Sequence, residues 1–158
     1  MAVAFETHDH GRCVQTLVAE AERVAAKQKL RLTPIRRRVL ELLLEDHRAV
    51  GAYYVLARLQ SEGLGTHPPV AYRALDFLVE HGFAHKLERL NAFVACDCPQ
   101  DRHRPAFLIC RDCSAVAESD AGAVARALAA TASRAGFRID NAAIEAEGLC
   151  PSCQVGAV

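Results

Sequence analysis

The chemistry this chain can perform concentrates in two CxxC pairs near its end, Cys110/Cys113 and Cys150/Cys153, with 36 residues between them. Each pair spaces two thiolates so that one tight turn aims both sulfurs at a single ion, and two such pairs supply four soft ligands to a tetrahedral zinc. A site of this kind is closed and leaves no coordination position for a substrate, so the expected role is structural. The same thiols could instead form two redox motifs. Those normally open a helix after a strand in a βαβ context, whereas Cys110 follows the apolar run Ala106-Phe107-Leu108-Ile109 and Cys113 precedes a second strand-like stretch, Ser114 to Ala117, which favours metal. Seven cysteines is an odd number, and in a reducing compartment a thiol-rich chain binds metal more readily than it forms disulfides.

The elements that must position these thiols follow a helical half. Val14 to Lys29 places Val14, Leu17, Val18, Ala21, Val24 and Ala25 on one helical face. A second helix starts at Thr33-Pro34, an N-cap followed by proline in the first turn, and turns Ile35, Val39, Leu42 and Leu43 inward. Arg36, Arg37 and Arg38 fall largely outside that stripe. A third helix over 52–62 is stopped by Gly63-Leu64-Gly65, and a fourth begins after Pro68-Pro69, packs Ala74, Leu75, Leu78 and Val79, and ends at Gly82. Two alternating segments, 83–88 and 92–96, joined by Arg89-Leu90-Asn91, read as a hairpin. Helices followed by a hairpin make a winged helix-turn-helix, whose helix before the wing enters the major groove N-terminus first; a small helical bundle with a hairpin is the plainer alternative. Beyond this lie strands around Phe107 and Val116, a helix over 121–135 ended by Gly136, and strands at 137–139 and 143–146.

The formal net charge is zero, which at first argues against a nucleic-acid partner. Up to Val94 there are 13 basic residues against 11 acidic, and beyond it 6 against 8. So slight a difference leaves the position of individual arginines to decide. No unbroken apolar stretch reaches membrane length, and MAVAFETHDHGRC lacks the basic-then-apolar order of a secretory signal. A cytoplasmic protein without a membrane role is expected. Neither a HExxH-type helix nor a nucleophile with a base in reach is present, so an enzyme is not expected.

The segments RLTPIRRRVL, PPVAYRALDFLVEHGFAHKLE and EAEGLCPSC, with the two CxxC pairs in register, resemble the ferric-uptake-regulator superfamily and most closely its zinc-uptake-regulator branch; the resemblance runs from about Ala19 to Cys153. It implies an α+β protein: a winged helix-turn-helix DNA-binding domain (1–94), a hinge (95–103) and an α/β dimerisation domain with the structural zinc (104–158). It further implies a homodimeric repressor that binds double-stranded operator DNA, with no small-molecule substrate, when a second zinc is loaded, giving two Zn2+ per subunit and control of zinc-uptake genes. By similarity, His85, Cys96, His103 and Glu118 hold that regulatory zinc. Imidazole, thiolate and carboxylate are all acceptable zinc ligands, and a site gathered across a hinge ties occupancy to domain orientation. Cys98 offers a competing thiol two residues from Cys96. His8, His10 and Cys13 could also bind metal but read as an unstructured terminus.

For DNA, Tyr72 and Arg73 are the expected base readers: arginine can donate twice to a guanine edge and tyrosine can pack on a thymine methyl. Val70-Ala71 stands where the family commonly has Thr-Val, which removes a hydroxyl at the helix start. Tyr53, Arg36 and Arg37 are expected phosphate contacts, which position a protein without reading sequence. Two other readings stand beside this one. A sensor of iron, manganese or peroxide would have a histidine-rich hinge and an oxygen or nitrogen site in place of Cys96, and the other reading is a zinc-ribbon enzyme or metal chaperone that does not bind DNA.

Overall fold

The computed structural model describes residues 5, 9–65, 67–99, 103 and 105–155. His8, hinge positions 100–102 and the last three residues lie outside the described residues. The chain divides into two compact units, residues 7–102 and residues 1–6 with 103–158. Helices and two small sheets make it a mixed α+β protein.

The first unit holds α1 (His10–Lys27), α2 (Pro34–Leu44), α3 (Ala52–Ser61) and α4 (Pro68–Glu80), followed by β1 (Ala84–Leu87) and β2 (Ala92–Ala95). Local chemistry sets the ends. Thr33 accepts a hydrogen bond from the Arg36 N–H at 3.4 Å, with Pro34 in the first turn of α2. At the other end of α4, Gly82 takes φ +77°, and the Phe83 N–H returns 2.8 Å to the Leu78 carbonyl, the closure that a left-handed glycine permits. Val39, Leu42, Val55, Leu59, Leu75, Leu78 and Phe83 are essentially solvent-free and form one core among the helices and the wing. The wing gains a third member that the sequence did not suggest: Val50 exchanges two 2.8 Å hydrogen bonds with Phe93.

α1 starts earlier than its apolar periodicity implies. Asp9 caps it by accepting from the Arg12 N–H at 3.2 Å, so His10 and Cys13 belong to a helix and not to an unstructured terminus. His10 is held by a 2.6 Å bond between its Nε2 and the Glu45 carbonyl, with its ring edge-on to His47 at 4.9 Å.

The second unit is a three-stranded sheet, order β4-β3-β5, built from β3 (Pro105–Cys110), β4 (Val116–Asp120) and β5 (Ile144–Gly148), with α5 (Gly122–Arg134) between β4 and β5 and a last turn of helix, α6 (Pro151–Val155). β3 pairs antiparallel with β4 and parallel with β5. The strand expected at 137–139 does not form. Both edges of β3 are already occupied, and Arg138 bonds locally to Asp140 at 3.0 Å. α5 contains no buried residue; Val124, Leu128 and Phe137 are exposed, and the last two line a groove of about 540 Å³. Among the described residues, no helix is long and apolar enough to cross a membrane.

Candidate metal centres and nucleic-acid face

Sheet register brings the two CxxC pairs to one place. β3 ends at Cys110, which lies opposite Gly148 of β5, and the Arg111 N–H donates 2.9 Å to the Gly148 carbonyl. Cys110 and Cys113 flank a knuckle closed by Ser114 N–H to Cys110 carbonyl at 2.9 Å, and Ser114 takes φ +61° to turn the chain back into β4. Cys150 stands directly before α6 and Cys153 within it, their backbones joined by a 3.0 Å bond.

The four sulfurs lie within 4.8 Å of one another. A tetrahedron with zinc–sulfur bonds of about 2.3 Å has edges of about 3.8 Å, and Cys113 Sγ and Cys150 Sγ are 3.7 Å apart. Backbone donors favour a thiolate there: the Cys150 N–H points at Cys110 Sγ at 3.4 Å. The amides of Cys113 and Cys150 pull the Cys110 thiol down to about 6, whereas its hydrogen bond with Cys150, together with burial, pushes Cys153 up to about 12. Four crowded thiols cannot all ionise unaided, and a divalent cation in their midst removes that conflict. The residues therefore fit a closed four-thiolate zinc site.

The other expected ligands form two pairs, one in each unit. In the first unit, His85 on β1 and Cys96 just after β2 have ligand atoms within 4.8 Å of each other. Hairpin pairing holds them close, through His85 opposite Val94 and the Cys96 N–H bonded 2.9 Å to the Phe83 carbonyl. Cys96 is 4% exposed and Cys98 is exposed, so the hairpin encloses the first of the competing thiols. In the second unit, His103 Nε2 bonds Glu118 Oε1, and Glu118 stands on β4 opposite Phe107 of β3. Each pair offers zinc-compatible donors of nitrogen, sulfur or oxygen.

Helix α4 presents Tyr72 and Arg73 outward in its first turns, both exposed, with Ala71, Ala74 and Leu75 buried behind them. Neither has a hydrogen-bond or ion-pair partner among the described residues. Tyr53, 79% exposed at the start of α3, shares with Tyr72 the wall of a cleft of about 460 Å³. The arginines of α2 are differently placed. Arg37 pairs with Glu22 and, at 3.0 Å, with Glu41. Arg36 donates 2.7 Å to the Arg31 carbonyl and lies 3.6 Å over the Phe77 ring. Arg38 bonds Glu62 at 2.7 Å in a network that includes Glu45 and Arg58, and these carboxylates absorb much of the charge on α2 and α3. Sequence reasoning misses Phe77; its one signal is its place four residues after Arg73, between the core face and the outer face.

The Ferric uptake regulator family profile matches residues 27–147. The zinc uptake regulation protein of Escherichia coli (strain K12) is 41% identical over 140 residues, covering 88% of this chain and 82% of the relative. A ferric uptake regulation protein of Synechococcus elongatus is 24% identical over 128 residues, or 78% of this chain and 86% of the relative. Among solved structures, a zinc uptake regulator complexed with zinc and DNA matches with a TM-score of 0.84 and 41% identity over 92% of this chain and 98% of the other. The holo form of XcZur matches at 0.80 and 40% identity, over 89% and 98%.

Proposed function

The chain belongs to the ferric uptake regulator family, and from that premise we propose that it is a zinc-responsive transcriptional repressor that binds operator DNA as a homodimer when loaded and controls zinc-uptake genes. The observation that carries this reading is the presence of two kinds of donor set in one chain. One is a closed cluster of four thiols; the other comprises the softer-and-harder pairs His85/Cys96 and His103/Glu118.

Zinc bound at the two donor sets would supply redox-inert anchor points, two per subunit. Cys110, Cys113, Cys150 and Cys153 hold the first and tie the ends of β3 and β5 to α6. His85 and Cys96, on and just after the wing, together with His103, before β3, and Glu118, on β4, would hold the second and make the orientation of the two units depend on its occupancy. Cys96 favours zinc over oxygen-preferring ions, and no histidine run near residues 95–103 serves the iron or manganese alternative. The domains would then be residues 1–94, a hinge at 95–103 and 104–158, acting in the cytoplasm with no catalytic step.

Dimerisation through the second unit is supported by α5, whose Val124 and Leu128 are 51% and 42% exposed. Leu128→Asp is expected to convert the dimer to a monomer in sedimentation equilibrium while the winged unit stays folded; an unchanged dimer would place the interface elsewhere.

On DNA, Tyr72 and Arg73 read base edges from the first turns of α4 while Tyr53 meets the backbone. Arg37 reaches a phosphate only by leaving Glu22 and Glu41. Arg73→Ala should relax discrimination at one base pair by about 1 to 3 kcal/mol, read by competition with single-base variants of the preferred duplex. Equal discrimination by the variant would remove Arg73 from the reading set. The whole reading is tested by anisotropy titration with a duplex selected from a random pool. Binding with zinc and not with Mn(II) or Fe(II) is expected, and the reverse order would favour the other metal sensors of the family.

A further inference from the structure

We propose that Arg36 is a positioning residue for the recognition helix α4 and not a phosphate contact, an inference that rests on the DNA-binding reading. Its guanidinium lies 3.6 Å from the centroid of Phe77, well inside cation–π range, and its NH1 donates 2.7 Å to the Arg31 carbonyl. One side chain thus joins the loop before α2, α2 itself and α4. Both interactions are made by a planar, forked group, which lysine does not reproduce.

Phe77 is the lever on the other side. It stands on α4 one turn after Arg73, half-buried, with its ring stacked 6.4 Å from the fully buried Phe83 at an interplanar angle of 22° and 4.5 Å from His81 at the helix end. The core supports the ring from one side and Arg36 lies against it. The rotation of α4 about its own axis, which decides where Arg73 points, is therefore fixed partly by Arg36. In this arrangement the charge of Arg36 faces an aromatic ring and a carbonyl. Arg73, in contrast, is exposed and has no partner among the described residues.

A phosphate-binding arginine and a positioning arginine differ in how they respond to salt. Removing one phosphate-binding charge lowers the slope of log affinity against log salt by about 0.9, because one fewer counterion is released. Removing a positioning side chain leaves that slope alone and weakens only the binding that needs correct aim. The experiment uses the full zinc-loaded chain and two labelled duplexes of equal length, one selected from a random pool by the wild type and one of random sequence. Arg36→Lys, Arg36→Gln and Phe77→Leu are titrated over a range of KCl concentrations.

Both Arg36 variants should bind the selected duplex roughly fivefold more weakly, the factor such an interaction is worth, with an unchanged salt slope and unchanged affinity for the random duplex. Phe77→Leu should do the same, and the Arg36→Gln/Phe77→Leu double variant should be no weaker than either single. Wild-type behaviour of Arg36→Lys with a reduced slope for Arg36→Gln would make Arg36 a phosphate contact. A lower melting temperature with full affinity for the selected duplex in the folded range would make it a fold support only. Either result overturns the inference and leaves the functional reading standing. Zinc-loaded wild type that binds neither duplex removes both.

Discussion

Cys110→Ser and Cys153→Ser are each expected to yield a chain whose second unit no longer folds cooperatively or dimerises, while the first unit keeps its structure. The asymmetry follows from where the cores lie. In the second unit the buried side chains are few, mainly Ala106, Phe107, Ile109, Val116, Ala117 and Ala121 beside the cysteines, and α5 contributes none. Structural zinc in small domains contributes about 10 to 16 kcal/mol of apparent binding free energy, against a total stability of about 5 to 15 kcal/mol for a typical domain. If deletion of one of the four thiolates releases the ion, the loss is comparable to the whole stability of a typical domain. The first unit has its own apolar core from Val18 to Phe93 and contains none of these four cysteines. Hydrogen exchange should show protection retained in α2, α4 and the wing and absent from β3 and β5, with zinc content reduced and the dimer absent by light scattering. A folded dimer with the wild-type metal count would contradict this assignment.

Cys96→Ser and His85→Ala should give the opposite pattern: an intact dimer that retains the four-thiol zinc and loses the response to added zinc. The Cys96 backbone is pinned to Phe83 at 2.9 Å, so serine fits the same place while replacing a thiolate by a poor zinc ligand. Without the second ion, nothing selects the orientation in which both recognition helices of a dimer meet their half-sites, and binding should fall to the sequence-independent level. That difference is typically a factor of about 10³ or more. Cys98→Ser is the control, and it should behave as wild type because Cys98 is exposed whereas the hairpin encloses Cys96. Zinc-dependent repression that survives loss of Cys96 and disappears with Cys98 would transfer the role to the second thiol.

What could be read from the chain, and what could not, divides by the range of the interaction. Thr33-Pro34, Pro68-Pro69 and Gly82 mark helix ends through interactions within a few residues, and α2 and the end of α4 lie where those marks place them. The CxxC pairs carry their chemistry in their spacing. By contrast, α4 takes both prolines into its first turn behind the cap His67, whereas the sequence pattern starts it after them, and α1 reaches back to His10 because Asp9 caps it, a single polar residue that periodicity ignores. The strand expected at 137–139 has the right alternation but pairs with neither outer strand of the sheet, and Arg138 bonds locally to Asp140 instead. The fates of Arg36 and Arg37 depend on Phe77 and Glu22, far away in sequence, and no local pattern of α2 could show one stacked and the other ion-paired.

The central claim is that a permanent zinc and a sensing zinc serve different ends in the same subunit. The most direct test is graded chelation of the purified dimer, with zinc content and affinity for the selected duplex measured on the same samples. Two zinc ions per subunit are predicted, the first removed together with specific DNA binding while the dimer persists, the second removed only as the second unit unfolds. A single zinc per subunit, or specific binding that outlasts the first ion released, would contradict it.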